Sequence, residues 1–354
     1  MIISRTPFRI SFFGGGTDYP AWYRQHGGAV LAATIDKYCY LTCRYLPPFF
    51  EHKYRLVYSR IEAARTLAEL EHPAARGILQ HLNVDRGIEI HHDGDLPARS
   101  GMGSSSAFTV GLLHALYALK GQVRSKHQLA TESIYIEQDV LQETVGSQDQ
   151  VSAAYGGLNH ITFLTNGEIS VRPVTLSPER LREFNAHLML FYTGIKRTAS
   201  EVANSYVAHL NDHKRQLRIM KDMVEEGLSI LASRGDIGAF GDLLHEAWQA
   251  KRSLSAQVSN STVDAIYAQA REAGALGGKL TGAGGGGFML LFARPELHAR
   301  IIAQLRQLIH VPFHIEFSGS QIIFFDPEND YAAEETARAQ QALRPFEELT
   351  APSA

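Results

Sequence analysis

The stretch from Asp95 to Phe108 constrains the fold most, because it places two glycines and four serines in one short loop. An apolar pattern at helical spacing follows directly and ends at Gly121; its members are Leu112, Leu113, Leu116 and Leu119. The sequence therefore predicts a glycine-rich turn that leads into the N-terminus of a helix. Unpaired backbone N–H groups and the positive end of the helix dipole make such a turn a binding site for anions.

The residue types of this loop suit a phosphate. The first turn after the loop contains no Asp or Glu, so the positive end of the dipole stays free for a ligand. Gly101 and Gly103 let the backbone approach a phosphate closely, and serine hydroxyls hydrogen-bond phosphate or coordinate Mg²⁺. The competing interpretation is a capped helix after a flexible turn. The loop is neither a Walker A loop, since it lacks Gly-Lys-Ser/Thr, nor a dinucleotide fingerprint, since the spacing differs.

Composition and charge exclude several classes of protein. A chain of 354 residues is long enough for two domains. Its net charge of −3 gives no general electrostatic reason to bind nucleic acid or a membrane. Apolar runs stay below the ~20 residues needed to span a bilayer, and residues 1–9 lack the layout of a signal peptide. We expect a cytoplasmic protein that binds small molecules.

Hydrophobic periodicity predicts a mixture of strands and helices. We expect paired strands within 28–46, a helix over 60–83 and a helix from Ser125 to Val145 that starts with a capping box. We also expect strands over 88–92, 188–192 and 321–325. The polar segment 173–184, with two prolines, is the predicted junction between domains 1–180 and 181–345.

Two further segments are candidates for ligand contacts. Gly14, Gly15 and Gly16 precede Asp18, whose carboxylate can accept hydrogen bonds from sugar hydroxyls; the alternative is a strand-to-loop turn capped by an Asp. Lys196 and Arg197 precede a predicted helix, where their charges oppose its dipole. That placement is explained if the pair meets an anionic substrate, and the alternative is a solvated pair.

Three motifs in fixed order carry a resemblance to a family: Pro7-x-Arg9 with Gly-Gly-Gly-Thr-Asp18, then Pro97-x3-Gly-Met-Gly-Ser-Ser-Ser106, then Lys279-Leu-Thr-Gly-Ala-Gly-Gly-Gly-Gly287. Together they resemble the GHMP kinase superfamily, named for galactokinase, homoserine kinase, mevalonate kinase and phosphomevalonate kinase, and the resemblance extends to about residue 325. Bacterial D-glycero-D-manno-heptose 7-phosphate kinases are similar to this chain in further segments, 12–20, 136–140, 145–150 and 192–197.

The resemblance implies an α+β fold of two domains. The N-terminal domain would be ribosomal-S5-like and the C-terminal domain ferredoxin-like, with the active site in the cleft between them. The phosphates of ATP would lie on the loop 97–106, and the segment 279–287 would close against that loop. The adenine pocket stays open, with residues between about 55 and 80 as candidates, and the oligomeric state stays open too, with a homo-oligomer among the options.

The resemblance also implies roles for individual residues. Asp149 would be the general base on the acceptor hydroxyl, and Arg9 would stabilise the charge on the transferred phosphoryl group. Ser105 would bind Mg²⁺ with Glu137 as the second ligand, although Gln138 occupies the position of equal spacing. The implied ATP phosphate-binding residues are Ser100, Gly101, Met102, Gly103, Ser104, Ser105 and Ser106. The implied substrate-binding residues are Gly15, Gly16, Thr17, Asp18, Lys196, Arg197 and Gly284.

The implied reaction is the ATP- and Mg²⁺-dependent phosphorylation of the anomeric hydroxyl of heptose 7-phosphate to the 1,7-bisphosphate. In the family, this step leads to nucleotide-activated heptose for surface polysaccharide, capsule or lipopolysaccharide. Gly15 and Gly16 stand where galactokinases carry Glu-His, which argues against galactose. Three alternatives stay open: a kinase for fucose, mannose or another free sugar, a non-catalytic sensor that binds ATP and sugar, and a decarboxylase of the diphosphomevalonate type.

Overall fold

The computed structural model describes residues 1–195, 199–207, 210–327 and 330–340. Its strands are β1 (Ile2–Phe13), β2 (Gly28–Tyr45), β3 (Tyr54–Val57), β4 (Ile61–Ala64), β5 (Ile88–Gly94), β6 (Leu158–Phe163), β7 (Ile169–Pro173), β8 (Leu188–Tyr192), β9 (Gly277–Leu280), β10 (Phe288–Phe292), β11 (Ile309–His310) and β12 (Gln321–Phe325). Its α-helices are α1 (Pro20–His26), α2 (Pro73–His81), α3 (Ser104–Leu119), α4 (Lys126–Tyr135), α5 (Gln148–Tyr155), α6 (Pro178–His187), α7 (Ala199–Val207), α8 (Lys214–Ala232), α9 (Gly238–Arg252), α10 (Ser261–Glu272), α11 (His298–Gln304) and α12 (Ala332–Ala339).

Within the described residues, the strands form two sheets. The first has the order β12-β1-β2-β5-β3-β4, and β6 and β7 continue it from the N-terminal half of β2. The second has the order β11-β8-β10-β9, with antiparallel neighbours throughout. The second sheet, with α7–α10 before β9 and α11 after β10, has the βαββαβ order of a ferredoxin-like domain. None of the helices in the described ranges combines the length and the apolar character needed to cross a membrane.

The last strand of the chain lies in the first sheet. β12 pairs antiparallel with β1, so that Ile2 faces Phe325 and Arg5 faces Gln321. The sequence predicted a strand over 321–325, and that is confirmed. The predicted second domain, 181–345, included this strand, whereas its pairing partner belongs to the first sheet. The edge of β1 offers unpaired N–H and C=O groups that β12 satisfies, and the domain boundary near residue 180 stays a prediction.

Two expectations about secondary structure were wrong in the first half of the chain. Residues 28–45 form one strand of 18 residues rather than a pair; its two halves pair with β6 and β5 respectively, so no turn is needed between them. The expected helix over 60–83 begins only at Pro73, because Ile61–Ala64 pairs with β3 as a hairpin strand.

The expected helix from Ser125 to Val145 also differs from the structure. The capping box of Ser125 and Gln128 is present, as predicted. The α-helix ends at Tyr135, and Ile136–Val140 winds as a π-helical segment. Here the N–H of Leu141 donates to the carbonyl of Ile136 at 2.9 Å, five residues back. Such wide turns occur often at functional sites, and this one carries Glu137.

Aromatic side chains join the two sheets into one core. Phe12 and Phe13 at the end of β1 contact Phe240 of α9, with ring centroids 5.5 and 4.9 Å apart. Phe240 also packs on Phe184 of α6 and on Phe292 of β10, at 4.9 and 5.4 Å. These rings are fully buried, so burial of apolar surface holds the loops after β1 and β9 at one place.

Candidate active site

The three glycine-rich segments predicted to face a ligand converge in the structure. The N–H of Arg9 donates to the carbonyl of Met102 at 3.1 Å, which fixes the end of β1 against the serine-rich loop. A Cβ on Gly101 would lie 2.7 Å from the carbonyl oxygen of Thr281, and one on Gly287 would lie 2.1 Å from that of Ser100. Only glycine permits this approach. The segment 279–287 therefore lies against the loop 97–103, as expected.

The N-terminus of α3 opens at this junction. Gly103 is the N-cap residue, with φ of 73°, no side chain caps the helix, and the first turn contains no acidic residue. Ser104 and Ser105 are partly or fully exposed, whereas Ser106 is buried. The open backbone N–H groups of this turn and the dipole of a 16-residue helix favour an anion here.

Arg9 and Asp149 form the central pair of the site. Nε of Arg9 donates to Oδ1 of Asp149 at 2.7 Å, and Nη2 donates to Oδ2 at 2.5 Å. The third guanidinium nitrogen, Nη1, donates to the carbonyl of Gly101 at 2.7 Å. Arg9 is 4% exposed, whereas the side chain of Asp149 is 24% exposed. The guanidinium thus orients a carboxylate that is still open to a ligand, at the N-terminus of α3.

Asp18 is a second carboxylate beside this pair. It is buried, and its oxygens accept hydrogen bonds from the N–H groups of Gly16 at 2.9 Å and Gln148 at 3.3 Å. Burial raises the pKa of Asp18, and the backbone hydrogen bond from Gly16 opposes that effect. The side chain of Thr17 is fully buried and bonds the carbonyls of Gly14 and Ala29. The hydroxyl of Thr17 therefore supports the loop, and the substrate contact of Thr17 stays a prediction.

Glu137 reaches the N-terminus of α3 from the π-helical segment. Its Oε2 accepts hydrogen bonds from Ser106 at 2.9 Å and Gln150 at 2.5 Å, and burial raises its pKa to about 8. Its Oε1 is buried and has no hydrogen-bond partner among the residues that the structure describes. Gln138 instead bonds the carbonyl of Val145 and the hydroxyl of Ser147, and Asp139 is exposed. Of these three neighbours in sequence, Glu137 is the one whose side chain lies at the phosphate loop.

The structure places two buried lysines at the site that the sequence patterns did not identify as site residues. Lys251, near the end of α9, is 5% exposed, and its Nζ donates to the carbonyl of Gly282. Lys279, on β9, is 4% exposed, and its Nζ donates to the carbonyl of Phe12 at 3.0 Å. Lys279 lay within a recognised motif, but Lys251 sits beside Arg252 in the last turn of a helix, where basic residues are common. No local signal distinguished it.

Other predicted site residues lie elsewhere or outside the described ranges. Lys196 and Arg197 lie outside the described residues. Gly284 has φ of 111° and packs against the backbone of Val258. The segment proposed for adenine contains β3, β4 and most of α2. His72, just before α2, stacks on Phe108 of α3 with ring centroids 4.7 Å apart, and the proposal stays a prediction. A cavity of about 600 Å³ lies at the far end of α3, beside Lys120 and Arg86, away from the Arg9–Asp149 pair.

Comparison with known families agrees with this geometry. The family model described as GHMP kinases N terminal domain matches residues 55–157, and the one described as GHMP kinases C terminal matches 219–310. The chain belongs to the GHMP kinase family. This GHMP kinase is a sugar kinase, a phosphotransferase with an alcohol group as acceptor. The predicted fold class is thereby confirmed.

Individual relatives of this GHMP kinase include enzymes for several sugars. It is 28% identical over 323 residues to D-glycero-alpha-D-manno-heptose 7-phosphate kinase of Campylobacter jejuni, covering 86% of this chain and 93% of the relative. It is 25% identical over 338 residues to the bifunctional fucokinase/GDP-fucose pyrophosphorylase of Arabidopsis thaliana, covering 88% of this chain and 31% of that protein. A crystal structure named D-glycero-D-manno-heptose 1-phosphate kinase, from Bacteroides thetaiotaomicron, superposes with a TM-score of 0.76 at 22% identity, over 92% of this chain and 100% of that one.

Proposed function

We propose that this GHMP kinase transfers the γ-phosphoryl group of ATP to the anomeric hydroxyl of D-glycero-D-manno-heptose 7-phosphate and releases the 1,7-bisphosphate. The observation that carries the catalytic part is the Arg9–Asp149 pair at the open N-terminus of α3. The heptose relative, similar over 86% of the chain, supports the choice of sugar. The product would serve the cytoplasmic synthesis of nucleotide-activated heptose for surface polysaccharide.

The carboxylate of Asp149 takes the proton of the acceptor hydroxyl, while Arg9 keeps it in position and offers positive charge to the phosphoryl group. The N–H groups of Gly101–Ser106 and the dipole of α3 bind the phosphates of ATP. Such positioning and charge stabilisation make up most of phosphoryl-transfer catalysis.

The residues at the loop fit a magnesium ion. The unpartnered Oε1 of Glu137 and the hydroxyls of Ser105 and Ser106 are hard oxygen donors, which Mg²⁺ prefers. The described residues contain no group of three or more His, Cys, Asp or Glu placed to hold a metal ion. A site with few protein ligands is typical of Mg²⁺ that is shared with substrate phosphates. Ser105 and Glu137 would hold the ion, which supplies charge neutralisation on the phosphates.

The proposal also specifies which position of the heptose acceptor already carries a phosphate. One relative is named for heptose 7-phosphate, and a structural neighbour is named for heptose 1-phosphate. We assign the distal 7-phosphate to Lys196 and Arg197, because these basic residues precede a helix whose dipole opposes their charge, and a bound phosphate would compensate it. Gly15 and Gly16 lack the Glu-His side chains that galactokinases carry at these positions, which supports a bulkier or differently placed sugar than galactose.

A ³¹P NMR assay with ATP and Mg²⁺ tests the acceptor. The panel contains heptose 7-phosphate, heptose 1-phosphate, free heptose, mannose, fucose and galactose. We expect the highest kcat/KM with heptose 7-phosphate and a new anomeric phosphate signal in the product. Fucose is the second candidate, since the fucokinase relative covers 88% of this chain. A higher kcat/KM for fucose, or for any acceptor without a 7-phosphate, would overturn the heptose assignment.

Removal of one basic residue tests the distal contact. Arg197→Ala should lower kcat/KM for heptose 7-phosphate by about 10- to 150-fold, because a charge-assisted hydrogen bond to phosphate contributes ~1.5–3 kcal/mol. The slow rate on mannose, which has no phosphate, should barely change. Arg182→Ala, at a position whose side chain is 70% exposed, is the matched control. Equal losses on both acceptors would remove Arg197 from the substrate site.

A further inference from the structure

Lys251 lies on α9, the helix that packs on the second sheet, and places a positive charge in the candidate active site. It stands on α9, which packs on β9 and contributes Phe240 to the shared core. Its ammonium donates to the carbonyl of Gly282, and Gly282 in turn lies against Gly101: a Cβ there would be 2.7 Å from the Cα of Gly101. The ammonium is therefore held at the contact between the two glycine-rich loops.

Charged groups from four elements surround this ammonium. Arg9 of β1, Asp18 of the following loop and Asp149 of α5 all act electrostatically on Lys251, and Lys251 in turn acts on Lys279 of β9. Lys251 and Lys279 form no ion pair with any carboxylate of the described residues; the acceptors for their ammonium groups are the carbonyls of Gly282 and Phe12. An ammonium group has three donors, and a buried cation without a counter-charge is costly. Burial lowers the pKa of Lys279 well below its usual value, so its positive charge depends on a nearby anion. With Lys279 protonated, three buried cations face two carboxylates, an excess that an anionic ligand would balance.

We propose that Lys251 is a further catalytic residue, whose ammonium donates a hydrogen bond to a non-bridging oxygen of the phosphoryl group during transfer. In that step the acceptor oxygen forms a bond to the γ-phosphorus, and the bond from that phosphorus to the β,γ-bridging oxygen breaks. ADP leaves with the bond's electron pair, and the hydroxyl proton passes to Asp149. Lys251 keeps its own proton and stabilises negative charge on the phosphoryl oxygens, as fixed cations do in such sites.

The position of Lys251 favours the phosphoryl group over the distal end of the sugar. Its ammonium interacts with Asp18 and with both Arg9 and Asp149, the pair that meets the acceptor hydroxyl. The charges that act on Lys279 are those of Lys251, Arg9 and Asp18. Because α9 belongs to the second part of the molecule, the catalytic cluster is complete only when the two sheets are packed together. The inference rests on phosphoryl transfer as proposed above, but not on the identity of the sugar.

Titration of Lys251 gives the role a signature that a structural lysine would not have. Burial, followed by the charge of Arg9, lowers its pKa to about 8 from the usual 10.5. Because the protonated form is the one that donates to phosphate, kcat/KM, which reports the titration of the free enzyme, should fall as pH rises through about 8. An arginine at this position stays charged throughout that range.

The test compares Lys251→Met, Lys251→Arg and the same-helix control Gln249→Met, at an exposed position, on the best acceptor of the panel. We expect Lys251→Met to lower kcat by about 100-fold while the dissociation constant for ADP stays within threefold. Lys251→Arg should recover at least tenfold of that loss and shift the alkaline fall in kcat/KM above pH 9.5. Gln249→Met should match the parent.

Two outcomes would overturn the proposal. One is a kcat of Lys251→Met within threefold of the parent. The other is an alkaline fall near pH 8 that persists in Lys251→Arg, because the titrating group would then be elsewhere. The binding of ADP shows whether a variant is folded. If Lys251→Met does not fold, the pH profile of Lys251→Arg still tests the proposal. A parent enzyme that prefers another acceptor would contradict the heptose assignment alone, since the ratio of variant to parent is measured on whichever acceptor is best.

Discussion

Asp149 shows how one side chain depends on another for its geometry. Both of its carboxylate oxygens accept hydrogen bonds from Arg9, and each oxygen retains a further lone pair for a substrate. Because the bidentate contact fixes the plane of the carboxylate, an acceptor hydroxyl would meet a base that is already oriented. Such preorganisation lowers the entropic cost of reaching the transition state.

Replacement of this carboxylate by an amide tests its role at the residue scale. Asp149→Asn keeps the shape of the side chain but cannot accept a proton, so kcat should fall by about 10²- to 10⁴-fold. The dissociation constant for ADP should stay within about threefold. Asp139→Asn, which changes an exposed carboxylate on the π-helical segment, should leave both quantities unchanged. Steady-state kinetics and calorimetric titration measure them, and a kcat of Asp149→Asn close to the parent's would exclude Asp149 as the base.

At the scale of an element, the N-terminus of α3 depends on a backbone that only glycine adopts without strain. Gly103 has φ of 73°, and a Cβ at this position would lie 3.2 Å from Cγ of Arg9 and 3.4 Å from Oδ2 of Asp149. The same turn that exposes the helix N-terminus therefore also makes room for the catalytic pair. Gly103 therefore affects both the stability of the fold and the activity of the site, and a control substitution is needed to separate these two effects.

Gly103→Ala and Gly121→Ala form that matched comparison. Gly121 has φ of 69°, and a Cβ added there would meet no atom within 4 Å, so both substitutions strain the backbone by about 1–2 kcal/mol. We expect similar losses in the free energy of unfolding, measured with urea. Only Gly103→Ala should lower kcat, by at least tenfold, because its methyl group crowds Arg9 and Asp149. Equal kcat values for the two variants would show that the contact at position 103 is tolerated.

At the scale of the whole molecule, the two sheets depend on one aromatic core. Phe240 contacts Phe12 and Phe13 from the first sheet and Phe292 from the second. The contact of the glycine-rich loops and the position of Lys251 both follow from this packing. We therefore expect the two parts to unfold together, since a shared core couples their stabilities.

Truncation of the central ring tests this coupling. Phe240→Ala should lower the free energy of unfolding by about 3–5 kcal/mol, because it leaves a cavity in a fully buried cluster. Calorimetry should still show one transition, at a lower temperature. Phe50→Ala, at a position 51% exposed, should shift the transition little. Two results would show that the two parts unfold independently. One is a Phe240→Ala variant that unfolds in two separate transitions. The other is a parent that already shows two transitions, of which Phe240→Ala shifts only one.

The sequence by itself determined the family, the fold class and part of the local structure. Glycines and serines at fixed spacing predicted the phosphate loop, and apolar periodicity predicted α3, β5 and β8, because these signals depend on neighbours in the chain. The family resemblance also named Arg9, Asp149 and Glu137, which the structure brings to the same helix N-terminus. Their catalytic roles stay predictions.

Tertiary structure alone decided which distant groups meet. The π-helical segment, the length of β2 and the pairing of β12 with β1 depend on partners far away in sequence, so local periodicity could not fix them. Lys251 looked like an ordinary basic residue near a helix end, and only the packing of α9 through Phe240 carries it to Gly282. A charge becomes functional when burial removes water from it and aligns it with other charges, and burial is a property of the folded chain as a whole.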